Sequence, residues 1–298
     1  MIYHQLGAST LQISKIGFGC MSLAGSDEEN AVVLHHAIDL GINFFDTADL
    51  YNKGMNEVSL GKALKSKRNK IILATKVGNQ WRTDGNGWDW NPHKKYILSS
   101  VDESLKRLQT DCIDLYQLHG GTIDDPIDET IEAFELLKQQ GKIRYYGISS
   151  IRPNVIREYV RRSSIVSVMM QYSLLDRRPE ETCLAFLKQH NIGLLTRGSL
   201  AQGLLVNKQA NEYLQYSIQE VTAASEAIKS VSGVQRTSTQ TAIRYVLHHP
   251  EVTSAILGIR TIQQLEEAVR TIHTPILSGT QMTLLQDSIK SNRYDQHR

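Results

Sequence analysis

Short apolar runs alternate with longer amphipathic stretches along almost the whole chain. The runs fall at Ile16–Gly19, Asn43–Asp46, Ile71–Thr75, Ile113–Gln117, Tyr145–Ile148, Val166–Met170, Gly193–Thr196 and Ser254–Leu257. Most lack strict polar alternation, which is the pattern of strands covered on both faces, as in a parallel sheet. Between them the spacing predicts helices at Asp27–Leu40, Asn56–Leu64, Lys94–Leu108, Ile127–Gln140, Asn154–Arg162, Glu180–His190, Ser238–His248 and Ile262–Val269. Ser26 suits an N-cap, with acids in the turn that follows it. Gly41 and Gly141 stand just past helix ends, and Pro153 and Pro179 at helix starts, where no N–H is needed. Eight strand–helix pairs over about 250 residues point to an α/β fold of the closed (β/α)8 TIM-barrel type.

Three segments lie outside the repeat. Tyr3–Ser14 reads as an N-terminal hairpin turning at Gly7–Thr10. Ala201–Ser232 reads as a long polar insertion after the seventh strand, a length usually kept for functional or mobile loops. Gly279–Arg298 reads as a further amphipathic helix and a tail. No linker divides the sequence, so a single barrel domain is expected over residues 1–298.

Composition narrows the function classes. With 33 basic and 31 acidic residues the net charge is +2, which argues against a nucleic-acid polymer as partner but allows a local basic pocket. No apolar run approaches the roughly 20 residues of a membrane span, and no secretory signal is visible at the N-terminus. Cys20, Cys112 and Cys183 are odd in number and widely spaced, so a reducing cytoplasmic setting is expected.

In such a barrel the active site lies at the C-terminal ends of the strands. The second strand ends in Asp46, with Tyr51 following in D-T-A-D-L-Y; the third ends at Lys76 in A-T-K-V-G; the fourth ends at His119 in Y-Q-L-H-G-G. An acid, a phenol, an amine and an imidazole thus emerge at one rim. Each could be an ordinary strand-end residue, but four such coincidences at one place favour a site. Proton transfer to a carbonyl oxygen suits the set. A phenol ordinarily ionises near pH 10, and a neighbouring ammonium favours the phenolate. Asp46 would hold Lys76, Tyr51 would act as general acid, and a neutral His119 would orient the carbonyl. None of the four can supply a hydride, so a reduced nicotinamide or similar cofactor is required.

These motifs resemble those of the aldo-keto reductases, NAD(P)H-dependent carbonyl reductases on a (β/α)8 barrel. The likeness runs through I-G-F-G-C-M at Ile16, F-D-T-A-D-L-Y-N at Phe45, N-E-x-x-L-G-K-A-L at Asn56, A-T-K-V-G at Ala74, S-L-x-R-L-x-T-D-x-I-D-L-Y-Q-L-H at Ser104 and G-K-I-R-Y-Y-G-I-S-S at Gly141. It is strongest to bacterial members carrying L-A-Q-G-L-L after the seventh strand. The resemblance implies that Asp46, Tyr51, Lys76 and His119 are the catalytic four. It implies that Ser149 and Gln171 hold the nicotinamide carboxamide, with Ser150 standing beside Ser149 where the family usually has Asn. Cys20 and Met21 match the stretch near the nicotinamide ribose. Ser199, Leu200 and Gln202 match the loop over the pyrophosphate, and Gly258, Arg260 and Gln264 the adenosine-phosphate site. Arg260 beside a helix N-terminus suits a 2′-phosphate, which favours NADP(H) over NAD(H). Arg197 replaces an aromatic that stacks on the nicotinamide, and its planar guanidinium could stack instead. Ala268 replaces an Asn that contacts the adenine.

The substrate expected is a small carbonyl compound. Trp81, Trp88 and Trp90 lie in a Gly-rich loop just after Lys76. That loop either walls an aromatic pocket or packs its indoles back on the barrel. Other features carry less. The sequence has no H-x-H or H-E-x-x-H, so no metal is expected; His35–His36 and His248–His249 cannot face one ligand from a helix. The pairs Arg161–Arg162 and Arg177–Arg178 read as solvated ends, and Cys20 as a small packing residue or an oxidisable thiol. An alternative to an enzyme is a nucleotide-binding regulatory or accessory subunit, prompted by Arg197 and the insertion. A pure binding module, however, has no need of an intact proton-transfer set.

Overall fold

A computed structural model describes residues 1–298. The chain enters through an antiparallel hairpin, β1 (Tyr3–Gln5) and β2 (Gln12–Ser14). Barrel strands β3 (Ile16–Gly19), β4 (Phe44–Asp46) and β5 (Ile72–Val77) follow. A second hairpin, β6 (Asn79–Trp81) and β7 (Trp88–Trp90), rises from the end of β5. The barrel continues with β8 (Ile113–Leu118), β9 (Ile143–Ser149), β10 (Ser167–Gln171), β11 (Gly193–Arg197) and β12 (Val252–Gly258). β12 pairs in parallel with β3 and closes the eight-stranded ring. The strand ends differ by no more than two residues from those read off the hydrophobic pattern.

The outer layer comprises α1 (Asp27–Asp39), α2 (Met55–Leu64), α3 (Lys94–Leu108), α4 (Ile127–Gln139), α5 (Pro153–Arg162), α6 (Cys183–Gln189), α7 (Ile218–Ser230), α8 (Ser238–His248), α9 (Ile262–Arg270) and α10 (Gly279–Asp287). Ser26 does cap α1: its side chain accepts from Glu29 N, and Glu29 reaches back to Ser26 N at 2.8 Å. No helix is long and apolar enough to cross a membrane.

Three expectations are corrected. The polar insertion is not all loop, because α7 occupies its second half. Ser217 and Glu220 form a capping box there, and Val221, Ala224 and Ile228 are buried. The stretch was polar enough to hide a helix that shows only one apolar stripe. The helix expected from Glu180 begins at Cys183 instead. Glu180 is drawn inward by the Arg177 guanidinium and by the hydroxyls of Tyr172 and Tyr245, and a short 3-10 turn replaces the first helical turn. For the same reason Arg177 and Arg178 are not solvated ends. They are largely covered, and pair with Glu180 at 2.9 Å and Asp176 at 2.7 Å.

The period-2 geometry of strands sets the inside of the barrel. Phe44, Ala74, Leu115, Met169, Leu195 and Ile256 point inward in the lower half, where Leu6, Leu11 and Ile13 of the first hairpin close the bottom. Two residues further along each strand, the same faces carry Asp46, Lys76, Gln117, Gln171, Arg197 and Gly258. The barrel therefore has an apolar plug below and a polar layer above.

Close helix packing makes one further demand. A Cβ on Gly61 of α2 would lie 2.4 Å from Arg107 O and 2.7 Å from Leu108 C at the end of α3. Helix propensity alone would favour alanine by about 0.5–1 kcal/mol. Backbone cannot give way as a side chain can, so Gly61→Ala is expected to destabilise the protein by about 1–3 kcal/mol. Denaturant unfolding reads this as a lower midpoint; a raised midpoint would show that α2 can slide away from α3.

Candidate active site

Asp46 and Lys76 meet at the top of the polar layer. Lys76 is 1 % exposed and Asp46 4 %. The Lys76 ammonium donates to Asp46 Oδ2 and to Thr47 O, each at 2.7 Å, and lies 3.4 Å from Tyr51 Oη. Gln117 Nε2 donates to the other Asp46 oxygen at 3.3 Å. Burial works against the Lys76 charge, but Asp46 and Tyr51 outweigh it and hold the ammonium above its ordinary pKa.

Tyr51 sits in a 3-10 turn after β4. Asn52, Lys53 and Gly54 all have positive φ there and return the chain into α2. The ammonium of Lys76 is 5.1 Å from the Tyr51 ring centre. His119, just past β8, meets the ring edge to face at 5.7 Å. Burial, then the charges of Lys76 and Arg197, push its imidazole down to about 3. His119 is therefore neutral at physiological pH. Its Nδ1 is buried with no partner, so the proton belongs on Nε2, where it leaves no buried N–H unsatisfied. The four residues named from the sequence thus stand together.

The N-E pair at Asn56–Glu57 has a structural account. Asn56 accepts from Thr47 Oγ1 at 2.6 Å and donates to Cys20 O at 2.9 Å. Glu57 is fully buried and accepts from Thr75 at 2.6 Å and from Arg107 at 2.7 Å. Together they staple the loops after β3 and β4 to the strand that carries Lys76. Asp49 lies beside them, and burial together with Glu57 pushes its carboxyl up to about 8.

The residues matched to a nucleotide line the rim from β9 round to β3. Ser149 ends β9, and Ser150 Oγ accepts from Arg152 N at 3.2 Å. Gln171 and Arg197 are paired in register at the ends of β10 and β11. Ser199 is buried, with a hydroxyl that has no partner. Leu200 leads into Ala201 and Gln202, both at positive φ. Gly258 faces the turn holding Cys20 and Met21, and a Cβ there would lie 2.3 Å from Ser22 Oγ. Met21 is 65 % exposed, whereas Cys20 is buried in the core and burial raises its thiol pKa, which favours the protonated thiol. Arg260 is exposed just before α9, and its backbone N–H donates to Gln264 Oε1 at 3.0 Å.

The tryptophans divide. Trp90 packs back over Gly78 and Gly120, and its indole N–H donates to Asp125 at 3.0 Å. Trp88 is 46 % exposed. Trp81 lies under the Lys53 ammonium, 5.3 Å from its ring centre. They form a hairpin, not a Gly-rich loop. Gln117 was missed, although it shares the inward face with His119 two residues on. Thr47 and Tyr213 were missed because nothing local marks a backbone carbonyl or a loop tyrosine.

The family model described as "Aldo/keto reductase family" matches residues 15–290. The chain is 50 % identical over 303 residues to an uncharacterized oxidoreductase, YqkF, of Bacillus subtilis, covering 99 % of this chain and 98 % of that one. It is 31 % identical to the aldo-keto reductase yakc [NADP(+)] of Schizosaccharomyces pombe, over 86 % of this chain and 82 % of the relative. Among solved structures, the holo form of aldo-keto reductase AKR11C1 from Bacillus halodurans superimposes with a TM-score of 0.93 at 48 % identity, covering 100 % of this chain and 99 % of the other. The chain therefore belongs to the aldo/keto reductase family and is an NAD(P)H-dependent oxidoreductase.

Proposed function

We propose that the protein reduces an aldehyde or ketone to the alcohol with NADPH, and that Tyr51 delivers the proton. Carbonyl reduction is the chemistry of the family. The observation that carries the finer reading is the contact of Lys76 with both Asp46 and Tyr51, beside a neutral His119.

The residues present fit a nicotinamide nucleotide. The Ser199 hydroxyl is buried and unpartnered at the rim, where a polar ligand group could engage it. Ser149, Ser150 and Gln171 would hold the carboxamide, with Arg197 near the ring. Cys20 and Met21 would follow the ribose, Ser199, Leu200 and Gln202 the pyrophosphate, and Gly258, Arg260 and Gln264 the adenosine phosphate. When bound, the nicotinamide supplies a hydride.

This chain's residues do the rest. His119 Nε2–H donates to the carbonyl oxygen and orients it. Tyr51 Oη gives its proton to that oxygen as negative charge develops. The Lys76 ammonium stabilises the phenolate left behind, and Asp46 keeps the ammonium in place. Mixing the protein with NADPH and an aldehyde tests this directly. Cofactor oxidation matched by alcohol formation is expected, and its absence over a broad aldehyde and ketone panel would overturn the proposal.

The NADP preference rests on Arg260, an exposed cation two residues ahead of α9. Arg260→Ala is expected to weaken NADPH binding by about tenfold, the order of one charge-assisted contact, and NADH binding by much less. Equal losses for the two cofactors would show that Arg260 does not read the 2′-phosphate.

A further inference from the structure

One residue of the insertion reaches the polar layer of the barrel. Arg197 Nη1 donates to Gln171 Oε1 at 3.0 Å, and Gln171 Nε2 donates to Tyr213 Oη at 2.8 Å. A guanidinium has no acceptor, so this contact fixes the orientation of the Gln171 amide: oxygen towards Arg197, NH2 towards Tyr213. The stem of Gln171 lies over Gly198, which has φ 74; a Cβ there would approach Gln171 Cγ at 3.2 Å. Gln171 is thus held from below and from both ends.

Tyr213 is itself held from outside the barrel. It exchanges backbone hydrogen bonds of 3.1 and 3.0 Å with Tyr216 across a turn that puts Leu214 at φ 54. The Tyr216 hydroxyl donates to Lys290 O at 2.7 Å and accepts from Asn292 N at 2.9 Å. A line of hydrogen bonds therefore runs from the C-terminal tail through the insertion to the end of β10.

We propose that Tyr213 is a positioning residue for the nicotinamide, acting through Gln171. The proposal rests on the reading of Gln171 as the carboxamide holder. A carboxamide offers one acceptor and one donor group. An amide facing it pairs with both in only one orientation and loses both if it flips. Arg197 and Tyr213 each use part of the Gln171 hydrogen-bonding capacity, leaving one N–H and one oxygen lone pair for a ligand. The insertion thereby sets the presentation of Gln171 while making no hydrogen bond to Asp46, Tyr51, Lys76 or His119.

The test is a double-mutant cycle on NADPH binding, read by fluorescence titration of the full-length wild type, Tyr213→Phe, Gln171→Ala and the double variant. Tyr213→Phe keeps the ring and removes only the hydroxyl. It is expected to raise the Kd and KM for NADPH about two- to tenfold, the effect of one neutral hydrogen bond, with kcat and the thermal midpoint unchanged. In the Gln171→Ala background it is expected to have no further effect. Wild-type affinity in Tyr213→Phe, or the same fold-loss in both backgrounds, would overturn the proposal. Gln171→Ala binding as tightly as wild type would overturn it together with the assigned role of Gln171, leaving carbonyl reduction standing. Failure of the wild type to bind NADPH would remove the proposed function itself.

Discussion

Replacing Tyr51 by phenylalanine is expected to lower kcat for carbonyl reduction by about 10²–10⁴, the usual contribution of a positioned general acid. The change removes one oxygen and keeps the ring that packs edge to face on His119, 5.7 Å away, and under the Lys76 ammonium. The fold and cofactor affinity should therefore survive, which separates lost chemistry from lost structure. His119 cannot take over, because burial and the nearby cations keep it neutral, and the N–H of a neutral imidazole is too weak an acid to be given up. Steady-state NADPH oxidation, with a cofactor titration on the same preparation, makes the comparison. Equal turnover by wild type and Tyr51→Phe would show that the proton comes from elsewhere.

Asp46→Asn is expected to be the most damaging single change to stability near the site, costing about 3–5 kcal/mol. The Lys76 ammonium is 1 % exposed, and Asp46 is the only carboxylate paired with it. Thr47 O and Tyr51 Oη remain, but neither carries a full negative charge. Removing one partner of a buried ion pair strands the other, whereas removing both does not. The double variant Asp46→Asn with Lys76→Met is therefore expected to regain most of the lost stability and none of the activity. Urea unfolding of the three proteins decides it. A double variant as unstable as Asp46→Asn would mean that the loss comes from packing or from the Gln117 contact, not from the stranded charge.

Much of this arrangement was legible in the chain. Strands with both faces covered are apolar throughout, so eight of them stand out whatever their neighbours. Helix ends carry local chemistry, and Ser26, Gly41 and Pro153 marked them correctly. The catalytic candidates were legible because a barrel puts strand ends at one rim, which turns position in sequence into position in space. The helix α7 was not legible, since its apolar stripe of Val221, Ala224 and Ile228 makes sense only against the neighbours that cover it. Nor were the fates of Arg177, Arg178 and Trp90, settled by Gln286 O against Arg177, by the Tyr294 ring against Arg178, and for Trp90 by Asp125 and by glycines that leave room for its indole.

By itself, the sequence determined the eight-fold strand–helix barrel and the acid, phenol, amine and imidazole at its mouth. These follow from periodicities of two and 3.6 residues and from local capping, which act between near neighbours. Only the tertiary structure decided the burial that keeps His119 neutral, the isolation of the Lys76–Asp46 pair from water and the hold of Tyr213 on Gln171. Those properties depend on burial and on contacts between residues tens of positions apart, and no local pattern encodes either.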